Sequence, residues 1–303
     1  MNAIISIRTN CIVLFLLLIN CLPGFSQAKF VEVGGFDIWV NAIGLDDRAP
    51  GQPLIVLESG LGTPMDHWDR VLEGLSELGP VVAYDRPGIG QSEPDEELPT
   101  IQNVNKKLIS LLDQLGQKPP YLLIGHSLGG AYVRGFAGYH PDLVAGVIII
   151  DPADFTETRE NKRDYYEVLG WDDERIDQEL AANARKSQAR LNEAPQSIKE
   201  ESQVLADMRE NDFREILDHP LPNVPVHILT GGLYNPPPEY QTSEYDREAY
   251  FRSKMAHRLV RWTEVVNSVD KGMLFYSADA GHFVHYYDPE LLISSVRIAL
   301  LDH

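Results

Sequence analysis

Cysteine is nearly missing from this chain. Its 303 residues hold two, Cys11 and Cys21, and both lie within the first 28. From residue 29 onward no disulfide staples the fold and no thiol chemistry is available. The remainder must then stand on its own core, and about 275 residues can build one. Long apolar runs are missing too. CIVLFLLLI at residues 11–19 is the longest unbroken one, roughly half of the 20 or so residues that a membrane-spanning helix needs. Positive charge is scarce: 26 Lys and Arg stand against 45 Asp and Glu, a formal net charge of -19. Such a surface repels phosphate backbones and anionic lipid, which argues against nucleic acid as a partner. One local absence matters later. After the apolar run VHILT at 226–230 the chain reads GGLYN, with no carboxylate before Glu239.

The first 28 residues differ from the rest. Arg8 is their only charge, the apolar run follows, and Pro23, Gly24 and the Ser26-Gln27-Ala28 triplet close the segment. This is the pattern of a secretory signal peptide over 1–28, with a small-x-small cleavage site. It predicts a secreted or periplasmic protein with no stable membrane insertion after cleavage. An uncleaved anchor and a lipid-anchored Cys21 are the alternatives; Asn20 and Pro23 end the run early, and Leu18-Ile19-Asn20 makes a poor lipidation site.

Beyond the leader, short apolar runs alternate with helix-like segments. Strands are predicted at 36–43, 53–57, 81–84, 121–124, 144–150, 226–229 and 273–276. YLLIG and VAGVIII are apolar throughout rather than alternating, as expected of parallel strands covered on both faces. Helices are predicted at 68–78, 101–115, 128–139, 247–268 and 290–301. This rhythm predicts an α/β protein with a mostly parallel, doubly wound sheet. Residues 155–222 break it: they read as helix, rich in Glu, Asp, Arg, Lys, Gln and Ala, with no strand pattern. An insertion of about seventy residues at a strand's carboxyl end, where open α/β sheets place their ligands, reads as a helical lid. The core is then 29–154 and 223–303. No internal repeat or low-complexity segment is present.

The strongest motif is YLLIGHSLGG at 121–130. It places G-x-S-x-G between an apolar strand and the helix-like AYVRGFAGY. The sharp turn strains Ser127 and projects its hydroxyl, and side chains at 125 and 129 would collide with neighbours. The helix N-terminus beneath favours developing negative charge. A serine hydroxyl near neutral pH needs a base. His282, in SADAGHFVHYYDPELL after the last strand, is the candidate; His285 is its rival, and His126 is expected to point away from the serine and pack. The pair His282 and His285 finds no third ligand at a recognisable spacing, so no metal site is read. The base needs an orienting acid. Asp151, at the end of VAGVIIID, gives the chain order Ser127, Asp151, His282. Asp154, Glu239, Glu244 and Asp246 are less well placed. Two backbone amides complete the site as an oxyanion hole: Leu128, and Leu61 in Ser59-Gly60-Leu61-Gly62, with Gly62 the alternate.

These segments resemble the α/β-hydrolase superfamily over nearly the whole chain after the leader. ESGLGTP, YDRPGIGQS, PPYLLIGHSLGGAYVRGFA and IDPADF together look like its lid-bearing serine hydrolases, and AGHFVHYYDPELL looks like its histidine loop. The resemblance implies the α/β-hydrolase fold with a lid inserted after the sixth strand. It also implies a Ser-His-Asp hydrolase of carboxylic esters acting on a small-molecule acyl substrate, with no cofactor. Amides, peptides and lactones suit the same triad. Two departures stand out: Ser59-Gly60 where many members have His-Gly, and no acid after Thr230. Pancreatic-type lipases carry the acid one strand earlier in Asp-Pro-Ala, to which Asp151-Pro152-Ala153 is similar. A binding protein that keeps the fold with weak or no turnover is the reading from another class. The missing acid is the feature that favours it.

Overall fold

The computed structural model describes residues 28–236 and 245–303. The leader up to residue 27, with both cysteines, and Glu239 and Glu244 lie outside the described residues.

Five of the strands are buried along their whole length, and the fold uses both of their faces. Eight strands form one sheet: β1 (Lys29–Val33), β2 (Phe36–Ile43), β3 (Leu54–Glu58), β4 (Val81–Tyr84), β5 (Tyr121–His126), β6 (Val144–Ile150), β7 (Val226–Gly231) and β8 (Gly272–Ser277). Their order is β1-β2-β4-β3-β5-β6-β7-β8. β1 and β2, and β2 and β4, pair antiparallel; every other neighbour pair is parallel. Every residue of β3 to β7 is buried. Alternation then splits each strand between two cores. Leu54, Val56, Leu123, Val147, Ile149 and Ile228 face one. Ile55, Leu57, Ile124, Ile148, Ile150 and Leu229 face the other.

Helices cover both faces. α1 (Asp69–Ser76) and α9 (Pro289–Asp302) supply Val71, Leu75, Leu292 and Val296 to one core. α2 (Ile101–Gln114), α3 (Leu128–Tyr139) and α7 (Arg247–Asn267) supply Ile101, Leu108, Phe136 and Trp262 to the other. Burying a side chain the size of Trp262 or Phe136 contributes about 2–3 kcal/mol each. Thr100 caps α2 by accepting from the Asn103 amide, and Asp246 caps α7 through Ala249.

Between β6 and β7 the described chain is helical. A 3₁₀ helix (Arg163–Leu169) is followed by α4 (Asp173–Leu191), α5 (Gln196–Glu210) and α6 (Arg214–Leu217). Tyr165, Tyr166 and Ile176 make a separate small core there, packed with Trp171 and Tyr250. β1 was not foreseen in the sequence. KFVEV mixes charge into its alternation, and the strand stays half exposed at the sheet edge.

The order reverses at β3, which has β4 on one side and β5 on the other. Open α/β sheets place their ligands at the carboxyl ends beside such a point, and the segments carrying Gly60, Ser127, Asp151 and His282 all follow strands that end at that edge.

Candidate active site

Ser127 is the turn between β5 and α3. Its backbone sits at φ 56 and ψ -116, a region that costs a non-glycine residue on the order of 1–3 kcal/mol. The surroundings enforce it. Its amide donates to the Ile150 carbonyl (3.0 Å), and its own carbonyl accepts from Ala153 (2.8 Å) and Gly130 (3.0 Å). The two glycines of the motif are steric necessities. A Cβ on Gly125 would lie 2.3 Å from the Gly129 oxygen, and one on Gly129 would lie 2.2 Å from the Glu58 oxygen.

Asp151 follows β6 and also has positive φ, 37°. Its amide donates to the Leu229 carbonyl at 2.8 Å, tying the residue to β7. Its carboxylate meets three groups. Oδ2 lies 2.5 Å from His282 Nδ1, Thr230 Oγ1 donates to Oδ1 at 2.7 Å, and Arg258 Nη1 is 3.9 Å from Oδ1. Burial by itself would raise this carboxyl; His282, Arg258 and Thr230 outweigh it and hold Asp151 below the ordinary value. It is therefore ionised at neutral pH. A charged acceptor fixes the proton of His282 on Nδ1 and leaves Nε2 with the lone pair. Among the described residues no hydrogen bond joins the Ser127 hydroxyl to that ring.

Thr230 explains the missing carboxylate after β7. The strand end that lacks an acid holds a hydroxyl donor to the acid on its neighbour. Neither Thr230 nor Arg258 was singled out in the sequence, since both act across distances in the chain that no local pattern reports.

The other candidates sort cleanly. Asp154 is engaged by Arg258 (3.2 Å), Arg261 (2.7 Å), the Trp262 indole (3.2 Å) and Thr156 (2.6 Å). It anchors α7 to the end of β6 and does not face His282. Asp246 caps α7. His285 is fully buried in α8 (Val284–Tyr287), with its ring 4.6 Å from that of Trp68. His126 does more than pack: its Nε2 donates to the His282 carbonyl at 3.1 Å, and the two rings are 4.6 Å apart. Burial lowers His67 to about 4 and His285 to about 3, and pushes His126 well below its ordinary value.

The loop after β3 is held by a buried ionic network. Arg86 donates to the carbonyls of Ser59 and Gly60, both at 2.6 Å, and pairs with Glu58 and with Glu201 of α5 (2.7 Å). Tyr84 donates to Glu58. Glu201 also accepts from the Gly62 amide at 2.7 Å, which removes Gly62 as the alternate oxyanion donor. Drawing the Gly60 carbonyl to Arg86 turns the Leu61 N–H to the opposite side of the trans peptide. Gly60 itself touches the nucleophile turn, since a Cβ there would be 3.3 Å from Ser127 Cβ. Leu128 opens α3, where first-turn amides have no helical partner. A cavity of about 450 Å³ bordered by Arg134, Phe155, Leu221 and Arg261 includes none of Ser127, Asp151 and His282.

Comparison with known proteins places this geometry. YqjL of Bacillus subtilis (strain 168), an uncharacterised protein, is 33% identical over 99 residues, which is 33% of this chain and 39% of that protein. The chain spans 39%, 19% and 38% of the length of the first three curated relatives it matches. Among solved structures, the Bacillus subtilis carboxylesterase CesB (YbfK) superposes with a TM-score of 0.57 at 17% identity, over 92% of each chain. The enol-lactonase of Burkholderia xenovorans LB400 gives 0.57 at 18% identity, over 90% of this chain and all of that one. At such identities the likeness concerns the fold. Residues 53–293 match the α/β hydrolase fold family, from β3 through the histidine loop into α9; the chain belongs to that family.

Proposed function

We propose that this chain is a serine hydrolase of carboxylic esters, with Ser127, His282 and Asp151 as its triad. The observation that carries the reading is the 2.5 Å contact of His282 Nδ1 with the buried carboxylate of Asp151, beside a serine held at positive φ. In this reading Ser127 Oγ attacks the ester carbonyl and His282 Nε2 takes its proton. Asp151 stabilises the imidazolium that forms. The Leu61 and Leu128 amides bind the oxyanion. His282 returns the proton to the leaving alkoxide, and water, deprotonated by the same nitrogen, releases the acid from Ser127.

The helical segment 155–222 serves as the lid of this site, and Glu201 is where it docks. Residues 1–28 direct export and are removed. The carboxylesterase and lactonase of similar fold suit acyl transfer, and amides or lactones are the alternative substrates on the same triad. The binding-protein reading drew on the missing acid after Thr230; the Asp151–His282 contact counts against it.

Intact-mass measurement after fluorophosphonate treatment tests the reading. One adduct is expected on the wild type and none on Ser127→Ala, and chain expressed with its leader is expected to begin at Lys29. Asp151→Asn is expected to lower kcat on a p-nitrophenyl ester by about 10⁴-fold, because the wrong tautomer of His282 is then held. A loss under about tenfold would remove Asp151 from the triad.

A further inference from the structure

Three imidazoles from three separate segments meet behind the candidate triad. His67 comes from the 3₁₀ helix Met65–Trp68 that follows the β3 loop, His126 is the last residue of β5, and His285 sits in α8. The ring centroids are 5.2 Å apart for His67 and His126, 4.5 Å for His67 and His285, and 4.9 Å for His126 and His285. One ring nitrogen of each lies within 4.8 Å of one from each of the others. Three imidazoles on a single tetrahedral zinc ion, at Zn–N distances of about 2.0–2.1 Å, hold their ring centres roughly 5 Å apart. The ligating nitrogens of such a site lie roughly 3.4 Å apart; here they stand within 4.8 Å, so ring rotations would bring them onto one ion. The sequence offered only His282 and His285 as a pair; the fold sends His282 to Asp151 and brings two distant histidines to His285 instead.

A second observation points to a ligand. His126 is 1% exposed and His285 0%. His67 Nε2, His126 Nδ1 and both ring nitrogens of His285 are buried without a hydrogen-bond partner. Buried ring nitrogens are ordinarily satisfied, and four orphans on three touching rings call for an occupant. His126 also has the outer contact typical of a metal ligand. Its Nε2–H donates to a backbone carbonyl, that of His282, which fixes the ring and leaves Nδ1 with the lone pair. The walls are aromatic: Trp68 lies 4.6 Å from His285 with the rings tilted by 30°, and Phe283 and Tyr286 lie 5.0 and 4.9 Å from His67.

We propose that His67, His126 and His285 bind one borderline-soft divalent cation of the zinc class. The ion would act as a structural brace joining the segments that carry the β3 loop, Ser127 and His282. A neutral three-imidazole set selects zinc, cobalt or copper over magnesium and calcium, which take oxygen ligands. The inference goes beyond the hydrolase reading and does not need it: the ion would be held whether or not Ser127 turns over.

The test uses the chain stripped by chelator and titrated with Co²⁺ and Zn²⁺. One equivalent is expected to bind, with the intense visible bands of four-coordinate cobalt that zinc then bleaches. The thermal midpoint is expected to rise by several degrees when zinc exceeds its Kd about a hundredfold. His67→Gln, at the partly exposed corner, and His285→Gln are each expected to weaken binding by about 100-fold or more, since loss of an outer contact alone costs 10–100-fold. His303→Gln, at the exposed terminus, is expected to change nothing. The cobalt spectrum of the unaltered chain stands even where a variant fails to fold. Absence of stoichiometric binding and of the cobalt bands overturns the proposal and leaves the cluster to a buried water. Stoichiometric binding that survives both substitutions in folded protein overturns it as well.

Discussion

At the scale of single residues, the candidate acid is set by what surrounds it. Asp151 carries the charge, but Thr230 and Arg258 decide how it is held. Thr230→Val keeps the shape and deletes the donor. One oxygen of a buried carboxylate then loses a charge-assisted hydrogen bond, a loss of about 1.5–3 kcal/mol. Under the proposed mechanism kcat is expected to fall about tenfold or more with little change in KM, and Thr230→Ser to restore most of it. Steady-state kinetics on one ester decides; an unchanged kcat would make the hydroxyl incidental. Ser127 and His282 were legible in the sequence because their signals are local: a motif between strand and helix, and a histidine loop after the last strand. Asp151 was legible through chain order. Thr230 was visible only as an absence, since its role depends on β6 and β7 lying side by side.

At the scale of elements, the informative contact is α5 against the β3 loop. Glu201 reaches back 139 residues to accept from the Gly62 amide, and it shares Arg86 with Glu58. The helix between β6 and β7 is therefore built into the loop that presents Leu61. Glu201→Gln keeps the acceptor for Gly62 but removes half of the countercharge of Arg86. It is expected to lower kcat/KM by about tenfold, a cost of roughly 1.4 kcal/mol at the loop, with the fluorophosphonate adduct still forming at Ser127 more slowly. The rate of adduct formation is the measurement, and an unaltered rate would uncouple α5 from the site. Helicity in 155–222 could be read from composition. Which of its many carboxylates turns inward could not, because Glu201 sits in QSIKEESQVLADMRE among neighbours of the same type. The covered strands announced themselves by apolar runs, whereas β1, with charges in its pattern, did not.

At the scale of the whole molecule, acid acts in two opposing ways. The formal charge of -19 means that mild acid relieves self-repulsion. Asp151 and Asp154 work the other way. For each, burial alone would raise the carboxyl, but their partners outweigh it and leave the value below the ordinary one. A carboxylate depressed in the folded state adds stability above its unfolded value of about 3.9 and loses it as pH falls through the folded value. The buried His67, His126 and His285 act in the same direction: each is held below its unfolded value of about 6.5 and takes up its proton on unfolding. Stability is thus expected to fall as pH drops below about 6.5, and further below about 4. Urea midpoints between about pH 7 and pH 3 check it; a midpoint that rises as pH falls through that range would mean that repulsion, not these buried groups, governs the acid limb.

The hydrogen bond between Thr230 and Asp151 brings two strand ends to one carboxylate. Under the proposed mechanism, two neighbouring strand ends whose side chains meet at 2.7 Å offer alternative seats for one negative charge. A lineage could move the charge from one seat to the other in two substitutions, passing through a form that holds both or neither. Asp151→Asn with Thr230→Asp makes that exchange in the laboratory. The double variant is expected to regain at least about tenfold of the turnover that Asp151→Asn alone loses. Recovery would mean that the histidine reads a charge from either strand, and that the placement of the acid in this chain records history as much as necessity.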